Sequence, residues 1–289
     1  MYKEFEGKLV KIMSCSNCNT KCKHCYISYK GSFSEDELFN IVKVLKNKYE
    51  IKINGTEPLL TPGYLKSFKE ANEDKVLTNG LVFKDKYDYL DDVRNAGIKR
   101  VCISYHFELH DLISTVNKEY LRNLFPIVRK HGLNAEVMTT ISSMNYDKVL
   151  EYCKEAIKMG ANYIHFTNYM VQGSAKNIDR SLVLSDEQRK EFFRQIMEAR
   201  KRYKKDELYI TRCGTFDKNP YEKDGGNFRC MAYNEMVVLT PEFKVYPCNF
   251  QASPGNEIGF YKDGKIFVKD GLKFSKDECS SFCKYCKNK

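Results

Sequence analysis

The sequence predicts an α/β fold, a partial (β/α)6 TIM-like barrel followed by a small β-rich, cysteine-rich C-terminal domain. Six β-rich runs alternate with amphipathic helical patterns over the first two thirds of the 289 residues, which is typical of a parallel sheet with helices outside it. Six units are too few for a closed eight-stranded barrel. After residue 205 the pattern changes to short hairpins, so we predict domains over residues 1–205 and 206–289.

Each predicted strand precedes a predicted helix. The strands cover residues 8–13, 50–54, 75–78, 100–105, 134–141 and 163–168. The helices cover residues 34–48, 62–73, 84–96, 117–131, 147–159 and 185–204. Ser34 is a candidate N-cap, because three acidic residues follow it in the first turn. In the tail, residues 236–240 and 244–246 form one predicted hairpin, and residues 260–261 and 265–267 form a second.

The cysteine distribution indicates metal binding rather than disulfide bonds. Four of the twelve cysteines lie between Cys15 and Cys25, and six lie between Cys213 and Cys286. A chain of this length buries enough surface to fold without cross-links. It shows no signal-peptide pattern and no run of about 18 apolar residues. We therefore expect a cytoplasmic protein without a membrane partner, in which reduced thiols bind metal.

The charge favours no single function. Lysine and arginine exceed aspartate and glutamate by 48 to 38, which gives a net charge of +10. The lysines are dispersed through amphipathic segments, as on an ordinary solvated surface, and attraction of an acidic substrate or peptide is the alternative. Because no basic stripe with interleaved aromatic residues is present, we expect no nucleic-acid partner.

Chemically useful side chains follow the predicted strands. Reactive groups of (β/α) barrels cluster beyond the C-terminal ends of the strands, so these side chains are expected to meet. They are the first cysteine group, Glu57, Asn79, Ser104 with His106, residues 139–142 and Asn168.

The first cysteine group has the spacing CxxxCxxC. Cys18, Cys22 and Cys25 can hold three corners of a cubane iron–sulfur cluster and leave one iron open for a ligand. A structural zinc site would need a fourth ligand, for which Cys15 is the candidate.

This loop resembles that of the radical S-adenosylmethionine (SAM) enzymes, with the aromatic-like His24 before the third cysteine. Gly55, Thr56, Glu57 and Pro58 resemble the family's Gly-Gly-Glu-Pro segment, which binds the SAM amino group, and depart from it at Thr56. The resemblance implies that these five residues contact SAM.

Three further positions carry the resemblance. Asn79, within the segment Leu-Thr-Asn-Gly, resembles the usual ending of the third strand. Ser104 resembles a ribose contact, and Val171 begins a turn that resembles an adenine contact. The implied chemistry is chelation of SAM by the open iron and reductive cleavage to a 5′-deoxyadenosyl radical, under anaerobic conditions and with an electron donor such as flavodoxin or ferredoxin.

The second cysteine group resembles the twitch domain, the short form of the SPASM extension. The resemblance implies a second, auxiliary [4Fe-4S] cluster with a full set of cysteine ligands. The expected ligands are Cys230, Cys248, Cys283 and Cys286, with Cys279 as the replacement for one of them.

The other thiols and histidines have competing interpretations. Cys213, Cys279 and Cys15 are candidate hydrogen donors to a substrate radical, and the alternative is an inert or ligating thiol. Cys102 and Cys153 are expected in the core. His106 and His110 enclose Glu108 in a pattern that differs from the HExxH zinc motif, and His106 either faces substrate or is a hydrogen-bonded loop histidine.

The resemblance implies an enzyme that modifies a ribosomally made peptide by epimerisation, thioether formation or carbon–carbon cross-linking. One alternative is two-electron oxidation of a small alcohol or aminosugar, and another is a zinc-ribbon binding protein without catalysis. The barrel is predicted to begin at residue 8, so we expect no N-terminal peptide-recognition domain before it.

Overall fold

The computed structural model describes residues 1–171, 173–174, 180–213 and 231–271. These residues form two compact units, the first from residues 1–21, 25–101 and 231–271 and the second from residues 22–24, 102–171, 173–174 and 180–213. The predicted domain boundary after residue 205 stays a prediction.

The first unit contains a seven-stranded sheet. Its strands in spatial order are β1 (Tyr2–Glu4), β12 (Lys265–Lys269), β11 (Gly259–Lys262), β10 (Lys244–Tyr246), β9 (Met236–Leu239), β2 (Leu9–Met13) and β3 (Glu50–Asn54). Strand β2 is nearly fully buried, as expected for a strand covered on both faces, whereas β3 buries only Ile51 and Ile53. Strand β9 pairs with β2 in parallel, whereas β9–β10 and β11–β12 are antiparallel. Both predicted hairpins are therefore confirmed.

The first unit also holds α1 (Glu35–Leu45), α2 (Tyr64–Glu70), β4 (Lys75–Thr78) and α3 (Tyr89–Asn95). Ser34 caps α1 as predicted: its hydroxyl accepts the Glu37 amide, and the Glu37 carboxylate accepts the Ser34 amide. Helix α1 packs against α2 and buries Leu38, Ile41 and Val42.

The second unit contains four strands, in the spatial order β5 (Arg100–Ser104), β6 (Asn134–Ile141), β7 (Tyr163–Asn168) and β8 (Tyr209–Arg212). Strand β5 belongs to this unit from Cys102 to its end. The β6–β7 and β7–β8 pairs are parallel. Its helices are α4 (His110–Ile113), α5 (Lys118–Lys130), α6 (Val149–Lys158) and α7 (Asp186–Arg202). Their apolar faces cover the sheet, where Phe166 of β7 meets Phe192 of α7 edge to face.

All six predicted strands of the barrel and their helices are present, and the predicted α/β class is confirmed. The helix predicted from residue 84 begins later in the structure, where α3 starts at Tyr89. Residues 81–83 form a 3₁₀ turn instead, and Asp85 has a positive φ of 61°. Strands β1 and β8 were not predicted. Within the described residues, no helix combines the length and apolar character needed to cross a membrane.

Candidate active site

The segment after β3 lies against the start of the cysteine loop. The Cys15 carbonyl accepts hydrogen bonds from the Tyr29 hydroxyl at 2.9 Å, the Thr56 amide at 2.9 Å and the Thr56 hydroxyl at 3.2 Å. A Cβ on Gly55 would lie 2.7 Å from Ser14 Oγ and 2.9 Å from Cys15 Sγ. Glycine at position 55 therefore allows the close approach of the two segments. The departure at Thr56 adds a hydrogen bond that glycine could not make.

Glu57 is completely buried at the end of β3. Its Oε2 accepts the Asn79 amide at 2.6 Å, while its Oε1 has no hydrogen-bond partner among the described residues. Burial raises the pKa of Glu57 to about 7, against the lowering effect of the Asn79 amide. Pro58, also buried, begins a short 3₁₀ turn directly after it. A buried acceptor without a partner is costly unless a ligand satisfies it.

Asn79 connects Glu57 to the cysteine loop. Its backbone amide binds Glu57, and its side-chain Nδ2 donates to Asn19 Oδ1 at 2.8 Å and to Cys18 Sγ at 3.5 Å. The next residue, Gly80, has a φ of 85°, which is the left-handed conformation that suits glycine. The expected meeting of Cys18, Glu57 and Asn79 is thus present in the first unit.

In the second unit, the loop after β5 contacts residues 22–24. The Lys23 amide and His24 Nδ1 both bind the Ile113 carbonyl, at 2.9 and 3.0 Å, and Cys22 Sγ lies 3.8 Å from Ser114 Oγ. The His24 and His106 rings meet edge to face with centroids 4.6 Å apart. Burial lowers the pKa of both histidines.

The HxExH histidines each accept a backbone hydrogen bond in or beside their loop. Nδ1 of His106 accepts the Thr140 amide, and Nδ1 of His110 accepts the His106 amide. Glu108 forms an ion pair with Lys148 at 3.0 Å. Within the described residues, no group of three or more histidine, cysteine or acidic side chains could hold a single metal ion. A cubane cluster does not require such a group, because each of its thiolates binds a different iron.

The remaining predicted residues occupy separate places. Ser104 is half-buried at the end of β5, and Val171 packs against the buried pair Tyr169 and Leu182. Cys213 is half-buried directly after β8, where its amide binds the Phe166 carbonyl.

No cysteine among the described residues takes part in a disulfide bond. Cys15 is buried beside Gly55, and burial raises the pKa of its thiol. Cys102 and Cys153 are fully buried, as expected for core residues. Cys248 is half-buried, and the two residues after it contact Tyr26, through a 3.2 Å hydrogen bond from Asn249 and the Phe250 ring. The predicted positions Cys230, Cys279, Cys283 and Cys286 lie outside the described residues.

The donor set fits the iron–sulfur cluster and SAM that the sequence resemblance implies. Asn79 and Ser114 place polar groups at the sulfur atoms of Cys18 and Cys22, where a thiolate needs hydrogen-bond donors. The unpartnered Glu57 Oε1 is an acceptor for an ammonium group. Ser114 and Tyr29 were not singled out in the sequence, since neither belongs to a recognisable pattern.

No protein-family model and no curated protein sequence matches this chain. Solved structures do match its fold. SuiB of Streptococcus suis bound to precursor peptide SuiA superposes with a TM-score of 0.68 at 13% identity, covering 87% of this chain and 62% of that chain. SuiB bound to S-adenosylmethionine gives 0.65 at 15% identity, with 88% and 63% covered.

A second protein, anSMEcpe with bound AdoMet and Kp18Cys peptide, gives a TM-score of 0.66 at 16% identity, with 89% and 78% covered. The chain spans about three fifths of the length of SuiB. The chain has the fold of these proteins, and the partial-barrel prediction is confirmed.

Proposed function

We propose that this protein is a radical SAM enzyme that modifies a peptide. Cys18, Cys22 and Cys25 would hold a [4Fe-4S] cluster, which with SAM supplies a 5′-deoxyadenosyl radical when bound. The observation that carries the proposal is the buried Glu57, whose Oε1 lacks a partner among the described residues while Asn79 links Oε2 to Cys18.

The chain's own residues would bind and orient SAM. Glu57 Oε1 accepts the ammonium group, and its carboxylate is held in place by the Asn79 amide. His24, fixed by its hydrogen bond to Ile113, would pack against the SAM adenosyl group together with Ser104 and Val171. Thr56 and Tyr29 anchor the Cys15 carbonyl at the base of the cysteine loop.

A peptide substrate is supported by the neighbours, because SuiB and anSMEcpe were both solved with peptides bound. The auxiliary cluster at Cys230, Cys248, Cys283 and Cys286, with Cys279 as a substitute, belongs to the same proposal. It would carry electrons to or from the substrate. Cys213, Cys279 and Cys15 are the candidate hydrogen donors; of the two among the described residues, half-burial at the C-terminal end of β8 favours Cys213 over the buried Cys15.

The test is iron, sulfide and SAM cleavage in anaerobically reconstituted protein. We expect about eight irons per chain with two [4Fe-4S] clusters and reductant-dependent release of 5′-deoxyadenosine. The triple variant Cys18→Ala, Cys22→Ala, Cys25→Ala should lose about four irons and all cleavage, while the buried Cys153→Ala serves as the control. Zinc without sulfide would instead establish the zinc-ribbon alternative.

The substrate is tested with a short peptide encoded beside the gene, incubated with SAM and reductant in deuterated solvent. Deuterium at a Cα without loss of mass indicates epimerisation through a thiol, and a loss of two daltons indicates cross-linking or oxidation. Turnover of a small alcohol or aminosugar with no change in any peptide would contradict the peptide assignment.

A further inference from the structure

A continuous series of hydrogen bonds runs through the loop between β5 and α5 and ends at Cys22. It begins on β6, where the Thr140 amide donates to His106 Nδ1 at 3.1 Å. The His106 amide donates to His110 Nδ1 at 3.2 Å. His110 Nε2 lies 2.9 Å from the Val116 carbonyl. The Val116 amide donates to Ser114 Oγ at 3.2 Å.

The two contacts of His110 determine which of its ring nitrogens donates. A neutral imidazole has one donor and one acceptor nitrogen. Because His110 Nδ1 accepts an amide, its proton resides on Nε2, which therefore donates to the Val116 carbonyl. His110 is buried, and burial lowers its pKa, which favours this neutral form.

As a free thiol, Cys22 donates to Ser114 Oγ, which also accepts the Val116 amide. Ser114 Oγ already accepts from the Val116 amide and lies 3.8 Å from Cys22 Sγ, within reach of a hydrogen bond to sulfur. A cluster-bound cysteine is a thiolate, which only accepts. In that state the Ser114 hydroxyl is the donor of the pair.

The cysteine loop is held against the same segment by its backbone. The Ile113 carbonyl accepts from both the Lys23 amide and His24 Nδ1. These bonds lie next to the Ser114–Cys22 contact in sequence. They hold the backbone of the cysteine loop beside Ser114.

We propose that Ser114 raises the reduction potential of the cluster by donating a hydrogen bond to the Cys22 sulfur, and that His110 is the positioning residue that aims it. This inference rests on the proposed cluster at Cys18, Cys22 and Cys25. Reduction adds negative charge that is partly carried by the sulfur ligands, so a donor at sulfur stabilises the reduced state more than the oxidised state.

The experiment is a reductive titration of reconstituted protein without SAM or substrate, followed by the electron paramagnetic resonance signal of the reduced cluster. In Ser114→Ala, we expect the ratio of reduced to oxidised cluster at a fixed potential to fall roughly twofold to fivefold, since one hydrogen bond changes strength between the two states. Ser114→Thr, which keeps the hydroxyl, should match the wild type. Ser143→Ala removes a hydroxyl elsewhere in the same unit and is the matched control.

His110→Phe keeps a ring of similar size beside Tyr105 and His106 but removes both hydrogen bonds. We expect a shift in the same direction as Ser114→Ala, and no additional shift in the double variant, because both act through one hydrogen bond. Iron content, measured in every variant, separates this shift from loss of the cluster.

An unchanged potential in Ser114→Ala with full iron content overturns this inference alone. Additive shifts in the double variant overturn the role given to His110. A wild-type protein that assembles no cluster overturns the proposed function and this inference with it.

Discussion

Two buried glutamates of the first unit show how similar carboxyl groups come to serve different purposes. Glu57 follows the C-terminal end of β3, and Glu73 precedes β4 at the opposite end of the strands. Burial raises the pKa of each to about 7. Oε1 of each carboxyl lacks a hydrogen-bond partner among the described residues, but Glu73 Oε1 lies 3.6 Å from Lys52 Nζ in an ion pair.

The difference teaches that a raised pKa does not locate a binding site in this fold. Glu73 pairs with Lys52, which also forms an ion pair with Glu50. Glu57 forms no ion pair among the described residues; polar groups nearby, first the Asn79 amide, which is itself part of the site, lower its pKa against the effect of burial. The missing ion-pair partner, rather than the pKa, distinguishes Glu57 from Glu73 among the described residues.

The largest expected effect is on the pH dependence of stability in the protein without cluster or SAM. Between the ordinary glutamate pKa of 4.5 and the raised pKa of about 7, the folded state keeps protons on both glutamates that the unfolded state releases. Stability therefore falls as the pH rises from about 4.5 to about 7, by about 3 kcal/mol for each group, and levels off above that. Urea unfolding at a series of pH values measures this. Glu57→Gln and Glu73→Gln should each reduce the pH dependence of the unfolding free energy by about half. An unaltered pH dependence in both variants would contradict the raised pKa that burial gives to the two carboxyl groups.

The second effect separates the two residues. Glu57→Gln retains an oxygen for the Asn79 amide but cannot pair with an ammonium group, so SAM affinity should fall roughly tenfold to a hundredfold, the range of a hydrogen bond to a charged group. Equilibrium binding to the reconstituted protein measures this. Glu73→Gln is the matched control and should leave SAM affinity unchanged; equal losses in both variants would remove the distinction drawn between them.

Gly55→Ala tests the close approach on which the Glu57 side of the comparison depends. The added Cβ meets Ser14 Oγ and Cys15 Sγ in a buried position, so we expect a loss of about 1–3 kcal/mol in unfolding free energy and weaker cluster retention. Gly63→Ala, whose Cβ would meet only the flexible end of Glu35, is the control. Equal melting temperatures of the two variants would show that the segments at Gly55 and Cys15 can move apart without loss of stability.

The smallest effect concerns Thr56. Thr56→Val keeps the shape of the side chain and removes its hydrogen bond to the Cys15 carbonyl, which retains the Tyr29 hydroxyl and an amide as donors. We expect a loss of about 0.5–1.5 kcal/mol by chemical unfolding. Thr56→Ser should behave as the wild type, and a Thr56→Val protein of unchanged stability would mean that the extra hydroxyl contributes nothing.

The sequence predicted the residues whose positions follow from strand ends. Glu57 and Asn79 each follow a strand directly, and parallel strands bring their C-terminal ends together, so their contact could be expected from the order of the strands alone. Cys102 and Cys153 were predictable as core residues because they lie inside a buried strand and an amphipathic helix.

The missed features depend on long-range pairing. Strand β1 has only three residues and two of them are charged, so it acquires its identity only by pairing with β12. Strand β8 has only four residues, too few for a distinctive alternation of apolar and polar side chains. It is recognised as a strand only by its parallel pairing with β7. The contact of Ser114 with Cys22 joins two loops 92 residues apart, and loops carry no periodicity from which such a contact could be inferred.

The pairing of β2 with β9 has a consequence for how the chain is made. Leu9 pairs with Met236, more than 200 residues later, so one edge of the first barrel strand stays open until most of the protein has left the ribosome. Open strand edges pair readily with other chains, and contacts of such long range form slowly. A chain truncated before residue 236 should therefore aggregate during synthesis, even though it would still encode the whole cysteine loop.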